Sequence, residues 1–308
     1  MIDIYFTVNN RFLNDFLVLY QIKFLTLILK GIYIKNQITS IAIGGFDGMH
    51  MAHQQLFSKL DKNGAIVVIS TQYANLSPDT HRAKHTDYPL FYYPLENIKH
   101  LSGEEFIKLL YEEFPNLKKI VVGYDFHFGH QAKSNIENLK KIFKGIVVVV
   151  DEYKVSNIAV HSRVIREYLR DGNIEVAQKL LGYDYSLQGN PIRGQGLGSK
   201  QFVPTINIDV EDFLIPQEGI YVTKTILNHN SYKSVSFIGH RASTDGKFAV
   251  ETHILEDISS LEIPKKVEIV FFKKLRENKK YEKYEELKEQ ILEDIEQAKS
   301  WFKKREKN

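Results

Sequence analysis

The sequence predicts two domains, an α/β domain with a parallel sheet followed by an antiparallel β-barrel closed off by a C-terminal helix. Three observations carry this. Residues 38–182 alternate short apolar strands with amphipathic helices. From Tyr185 to about Phe272 strands dominate, separated by turn residues such as Asn190-Pro191, Gly219, Asn228–Asn230 and Asp245-Gly246. The chain then ends in a segment where apolar residues recur every three or four positions. At 308 residues there is room for both domains, since a domain takes about 150 residues as a soft guide. The expected division is an extension over 1–37, a first domain over 38–184 and a second over 185–308.

Each element has its own signal. Ile41–Ile43, Ala65–Ser70, Lys119–Val122 and Ile146–Val150 are short β-branched or apolar runs and read as strands. Met51–Leu60, Gly103–Glu113 (with Ser102 as N-cap) and Asn135–Phe143 read as the helices between them. Two further helices, Ser162–Arg170 and Asn173–Leu181, are separated by Asp171-Gly172, and Gly182 ends the second. In the last helix Tyr284, Leu287, Ile291, Ile295, Ala298 and Phe302 form an apolar stripe that covers one face of the barrel.

Composition narrows the function classes. Hydrophobic content of 43% and charged content of 26% are those of an ordinary globular chain. A net charge of +3, with its one basic run at Lys303-Lys304-Arg305-Glu306-Lys307, gives no nucleic-acid surface. The absence of cysteine rules out disulfides, thiolate catalysis and cysteine-ligated zinc, and fits the cytoplasm. Phe12 to Ile34 is rich in Leu, Phe and Ile, but Asp15, Lys23 and Lys30 interrupt it. It therefore holds no run of about 18 apolar residues for a membrane span, and it lacks the basic start and cleavage site of a signal peptide.

The most informative stretch is Ile43-Gly44-Gly45-Phe46-Asp47-Gly48-Met49-His50-Met51-Ala52-His53. A buried strand leads into a glycine-bearing turn, and two histidines three residues apart open a helix. That spacing puts both imidazoles on one helical face. They join the free N–H groups and partial positive charge of a helix N-terminus, which suits a phosphate. Read alone, the pair would also serve as surface residues or half of a zinc site. The stretch resembles the G-x-F-D-G-x-H-x-x-H form of the nucleotidylyltransferase signature, as found in the adenylyltransferase half of bacterial bifunctional riboflavin kinase/FAD synthetases. Ala52 stands where that family has Gly.

Further motifs extend the resemblance in the family's order, over about residues 38–303. His161-Ser162-Arg163-Val164-Ile165-Arg166 resembles S-S-T-x-I-R, matching at Ser162 and Arg166 and departing at His161 and Arg163. A hydroxyl at a helix start and a guanidinium one turn later can both hold phosphate oxygens. Val121-Val122-Gly123-Tyr124-Asp125-Phe126-His127-Phe128-Gly129 resembles a loop that borders the flavin in the family. Phe126 and Phe128 are expected on opposite sides of this loop, one toward the flavin. Asp125, His127 and His130 read alternatively as metal ligands. Thr71 to Pro78 matches no family segment.

In the second domain, Gly189 to Ile208 resembles the riboflavin kinase signature. Gly194, Gly198 and Lys200 lie in its glycine-rich loop, where backbone N–H groups can approach phosphates. Thr205 and Asn207, two apart, share a strand face and present a hydroxyl and an amide oxygen to Mg²⁺ and its phosphates. Ser199 and Phe202-Val203 depart from the family pattern. Phe248 to Leu255 resembles the family's E-x-H-x-L strand, with Glu251 at the position of the catalytic base.

The resemblance implies a Rossmann-like nucleotidylyltransferase domain followed by a riboflavin kinase barrel, making FMN from riboflavin and ATP and then FAD from FMN and ATP. It implies Mg²⁺ in both steps. The implied catalytic residues are His50, His53, Arg166 and Glu251. ATP is then bound for adenylyl transfer by Gly45, Phe46, Asp47, His50, His53, Ser162 and Arg166, and the flavin by Asp125, Phe126 and Phe128. In the barrel, ATP falls to Gly194, Gly198, Lys200, Thr205 and Asn207, the metal to Thr205 and Asn207, and the flavin to Glu251 and Arg276. Partners are small molecules, with no nucleic acid or membrane and no oligomeric state set by the sequence. Two alternatives share these motifs: a kinase with a degenerate first domain, and a non-catalytic flavin or nucleotide sensor.

Overall fold

The computed structural model describes residues 34–71, 73–192, 203–243, 245–258 and 261–306. Most of the 1–37 extension, and Gly194, Gly198 and Lys200, therefore lie outside the described residues. The chain forms two compact units that interleave in sequence. One holds the chain up to Gly44 with Leu56–Ser70 and Tyr88–Asp151; the other holds Gly45–Gln55, Thr71–Asp87 and everything from Glu152 onward.

The first unit is a parallel sheet of β1 (Ser40–Gly44), β2 (Gly64–Ser70), β3 (Leu90–Pro94), β4 (Lys119–Gly123) and β5 (Ile146–Val150), in the order β3-β2-β1-β4-β5. Strands β1, β2 and β4 are continuous apolar runs because a central parallel strand is buried on both faces. β3, Leu-Phe-Tyr-Tyr-Pro, is an aromatic run rather than a β-branched one. As an edge strand it is half-exposed and ends at a proline, so the sequence pattern passed over it. Helix α2 (Gly103–Glu113) starts at a reciprocal capping box between Ser102 and Glu105. Helix α3 (Ile136–Ile142) starts at one between Asn135 and Asn138. Their apolar faces bury Phe106, Ile107, Leu110 and Leu139 with Ile41, Val67 and Ile120.

The connection from β1 leaves one side of the sheet and β4 lies on the other. That reversal of strand order is where open α/β sheets receive ligands.

The second unit contains the small hairpin of β6 (Lys154–Val155) and β7 (Ile158–Ala159), then α4 (Ser162–Arg170) and α5 (Ile174–Leu181). Gly182 caps α5 in the left-handed region at φ 85°. A closed antiparallel barrel follows: β8 (Ser186–Ile192), β9 (Ile206–Val210), β10 (Gly219–Leu227), β11 (Asn230–His240), β12 (Phe248–Ile254) and β13 (Val267–Arg276), in the order β10-β11-β12-β9-β8-β13. Closure removes free sheet edges. Ile165, Leu169, Ile174, Leu180 and Leu181 of the two helices share one core with Leu187, Ile208, Tyr221 and Phe271 of the barrel. A cut between 184 and 185 passes through that core.

Inside the barrel the hydroxyls of Thr223, Thr225, Ser234, Ser236 and Thr252 are buried and bonded to one another at 2.7–3.0 Å. Each satisfies the next, as burial requires. Helix α6 (Tyr284–Arg305) buries Ala298 and Phe302 against Val222 and Phe272, and Ile295 is also buried, while Tyr284 at the start of the expected stripe is exposed. Arg276 fixes the helix with a two-pronged bond to buried Asp294, Nε to Oδ1 at 2.8 Å and Nη2 to Oδ2 at 2.7 Å.

Candidate active sites

The loop after β1 is held in an uncommon backbone conformation. Phe46 (φ 48°), Gly48 (φ 80°) and Met49 (φ 39°) all lie in the left-handed region. At Gly48 an added Cβ would sit 2.9 Å from Leu76 Cδ1, so glycine is required twice over. The surrounding segment Thr71–Asp87 holds the strain in place. Gly48 N–H donates to Ser77 Oγ at 2.8 Å, and the buried Arg82 donates from Nε to the Phe46 carbonyl at 3.3 Å. Tyr183 Oη donates to the Gly48 carbonyl at 2.8 Å, with its ring stacked on His85 at 3.9 Å.

Helix α1 (Met51–Phe57) begins here, its first bond running from Gln54 N–H to the His50 carbonyl. The spacing of three works as expected: the His50 and His53 rings stack at 3.5 Å and 18°. His50 Nδ1 accepts the His53 N–H at 3.4 Å, which leaves the ring proton on Nε2. Burial, and then the charge of His161, lowers His50 to about 3. Burial, and then His50 itself, holds His53 well below the ordinary histidine range. Both are neutral imidazoles near pH 7, each with one N–H to donate.

Asp47 is buried, and its carboxylate is fully engaged. It accepts the backbone N–H groups of Asn75, Leu76 and Ser77 at 3.0–3.2 Å and the Nη2 of Arg166. It organises the loop. Arg166 also donates from Nε to Asn75 Oδ1 at 2.9 Å, and Ser162 Oγ donates to the Asp47 carbonyl at 2.8 Å. Thus Gly45, Phe46, Asp47, His50, His53, Ser162 and Arg166 come together within one unit, at the N-termini of α1 and α4. Asn75, Ser77, Arg82, His85 and Tyr183 complete the arrangement and were missed from sequence. They carry no motif or periodicity, and their partners lie about thirty or more residues away.

Asp125, Phe126 and Phe128 lie in the other unit. The loop is a tight turn, with Phe126 N–H bonded to the Gly123 carbonyl at 3.1 Å. The expectation that the two rings point to opposite sides is corrected: they stack on each other at 5.5 Å and 14°, on one side of the chain as residues two apart can. Phe128 is buried near Phe106, while Phe126 is half-buried and Asp125 exposed. Asp125, His127 and His130 form no metal cluster, and none occurs among the described residues.

The second site is on the barrel wall. Glu251 on β12 lies opposite Asn207 on β9 in the strand register. Its neighbour Thr252 points into the hydroxyl cluster, so alternation turns Glu251 the other way. Glu251 accepts from Thr205 Oγ1 at 3.2 Å and from Arg241 Nη1 at 3.3 Å. Burial raises its carboxyl above the ordinary 4.5, while Arg241 and Thr205 pull it back. A cavity of about 390 Å³ opens alongside, lined by Asn207, Ile192, Ile215, Arg241, Lys247 and Phe248 among others. Asn207 lines this space and Thr205 Oγ1 lies on the Glu251 carboxylate; both carry oxygen donors, the chemistry a hard divalent cation takes. Arg276 has three of its nitrogens engaged, Nε and Nη2 on Asp294 and Nη1 on the Glu277 carbonyl at 3.0 Å. Arg241, which bridges Glu251 and Asp245, is the residue sequence reading left unassigned.

Comparison with known proteins bears on both sites. Residues 80–164 match the family model for FAD synthetase and residues 181–302 that for riboflavin kinase. The chain is 30% identical over 311 residues to a bifunctional riboflavin kinase/FMN adenylyltransferase of Buchnera aphidicola, covering 89% of this chain and 98% of that one. It is 25% identical over 289 residues to the Escherichia coli protein of the same description, covering 85% and 92%. A solved structure described as a macrolide-efflux protein from Streptococcus pneumoniae superposes with a TM-score of 0.75 at 24% identity, over 86% of this chain and 95% of that one. That likeness carries the fold alone. No helix among the described residues is long and apolar enough to cross a membrane.

Proposed function

The chain belongs to the bifunctional riboflavin kinase/FMN adenylyltransferase family, and from that premise we propose how its residues divide the two reactions. The enzyme phosphorylates riboflavin with ATP to give FMN and ADP, then adenylylates FMN with ATP to give FAD and pyrophosphate. End-to-end similarity to bifunctional relatives carries this reading.

For adenylyl transfer the FMN phosphate attacks the α-phosphorus of ATP and pyrophosphate leaves. No enzymic nucleophile is needed, so the protein aligns the groups and stabilises developing charge. His50 and His53 donate N–H groups to the phosphates. Ser162 and Arg166 hold further phosphate oxygens at the start of α4. Gly45 and Phe46 give the nucleotide its backbone approach, and Asp47 keeps the loop and Arg166 in register. Asp125, Phe126 and Phe128 are assigned to the flavin. Residues 38–184 are assigned to this reaction and 185–308 to the kinase.

In the kinase reaction Glu251 takes the proton of the riboflavin hydroxyl as that oxygen bonds to the γ-phosphorus. Its raised pKa makes it a stronger base than an ordinary glutamate. Arg241 holds the carboxylate in place. Thr205 and Asn207 would hold Mg²⁺, which when bound neutralises phosphate charge; Gly194, Gly198 and Lys200 are assigned to the nucleotide phosphates and Arg276 to the flavin. A cytoplasmic location fits a chain without cysteine. Incubation with riboflavin, ATP and Mg²⁺, with separation of the flavins, tests the reading. FMN followed by FAD is expected; FMN alone, with supplied FMN also left unconverted, would overturn the adenylyltransferase assignment.

A further inference from the structure

The segment after β2, which carries no recognised motif, supplies the arginine's second partner, Asn75. Two donors on one edge of the Arg166 guanidinium face two different acceptors, Nη2 on Asp47 Oδ2 and Nε on Asn75 Oδ1 at 2.9 Å. A guanidinium is planar, so two bonds along one edge fix its orientation as well as its place. Asn75 is itself fixed. Its N–H donates to Asp47 Oδ2 at 3.1 Å, and its carbonyl accepts the Leu214 N–H at 2.8 Å. Leu214 is held in turn, its carbonyl accepting Tyr185 Oη at 2.6 Å. Leu214 lies between β9 and β10, one residue before Ile215 in the wall of the kinase cavity.

We infer that Asn75 is a positioning residue for adenylyl transfer, acting through Arg166 and tying it to the barrel segment around Leu214. The inference rests on the assignment of Arg166 to the phosphates. A neutral amide matters here. It accepts from Nε without adding charge, whereas a carboxylate would stand beside Asp47 and compete with phosphate for the arginine. Without the amide oxygen, Nε loses its acceptor, and Arg166 is left with one bond to an already engaged Asp47, about which the guanidinium can turn away from the nucleotide.

The test is a double-mutant cycle on FMN conversion to FAD, with riboflavin phosphorylation measured on each preparation to normalise for folded protein. Asn75→Ala is expected to lower kcat between roughly tenfold and a hundredfold, the scale of losses from misplacing a reacting group by about 1 Å. KM for FMN is expected to stay near the wild-type value. Asn75→Asp restores an acceptor and is expected to recover kcat only in part, with a raised KM for ATP. In an Arg166→Ala background the Asn75→Ala loss is expected to vanish, because a residue acting through another has nothing left to position. Additive losses would overturn the inference. So would a loss on Arg166→Ala with none on Asn75→Ala, which leaves the functional reading standing. Failure of the unsubstituted chain to form FAD would overturn both.

Discussion

Replacing Glu251 with Gln keeps the shape of the side chain and removes its basicity. In riboflavin phosphorylation the attacking hydroxyl must shed its proton as the new bond forms. A positioned carboxylate contributes about 10²–10⁴-fold, or roughly 3–5 kcal/mol of barrier at about 1.36 kcal/mol per decade. The surroundings of Glu251 also set the pH dependence. Burial raises its pKa above 4.5, against the opposing pull of Arg241 at 3.3 Å and Thr205 at 3.2 Å. A base acts when deprotonated, so the wild-type rate should rise with pH through a limb above the ordinary glutamate range, and that limb should disappear in the variant. Stability runs the other way. Between 4.5 and the raised value the folded state holds more protons than the unfolded one, so this group's contribution falls as pH rises. Near neutrality its charge is therefore a net cost, which Gln removes, and Arg241 still has Asp245 at 2.9 Å. The variant should unfold at the wild-type temperature or higher while losing kinase turnover. Single-turnover quench with riboflavin and ATP, with supplied FMN converted to FAD as control, gives the answer. Phosphate transfer at the wild-type rate would show that Glu251 is not the base.

Other outcomes follow from the same geometry. His53→Ala should abolish FAD formation while FMN formation continues, and equal loss of both in folded protein would contradict the assignment. With His50 at about 3 and His53 well below 6.5, adenylyl transfer should show no imidazole limb between about pH 5 and 8, where free histidine titrates. A fragment of 152–308 should phosphorylate riboflavin and unfold at higher temperature than 185–308. The shorter fragment lacks Ile165, Leu169, Ile174, Leu180 and Leu181, each worth roughly 1.5–3 kcal/mol when fully buried; equal midpoints would mean that the helices add nothing. Asp294→Ala leaves Arg276 without its buried partner and should cost about 3 kcal/mol in urea unfolding. A loss below about 0.5 kcal/mol, the scale of an ordinary surface change, would show the pair to be idle.

Much of this protein was legible from local chemistry. Continuous apolar runs gave β1, β2 and β4 because central parallel strands are buried on both faces, and gave β5 at the sheet edge through its β-branched run. Ser102 and Glu105 announced a helix start that the structure realises as a capping box. The three-residue spacing of His50 and His53 set their shared face. β3 escaped because its run is aromatic, half-exposed and ended by a proline rather than β-branched. The Phe126–Phe128 geometry escaped because the expectation misapplied the strand period: residues two apart share a side, as Thr205 and Asn207 do, and the rings stack.

The amino-acid sequence by itself determined the two kinds of sheet, the motifs at the ends of their elements and the family, since each is written in neighbouring residues. Tertiary structure alone decided what the charged groups do. Asp47, by itself an acidic residue in a phosphate motif, becomes the acceptor of three backbone N–H groups and an arginine. Arg276 becomes the anchor of α6. Arg82 and Asn75, unmarked in the sequence, become supports of the nucleotide loop. A side chain's charge and hydrogen-bonding capacity are local properties, but its partner, and hence its pKa and its role, belongs to whichever distant segment the fold brings beside it.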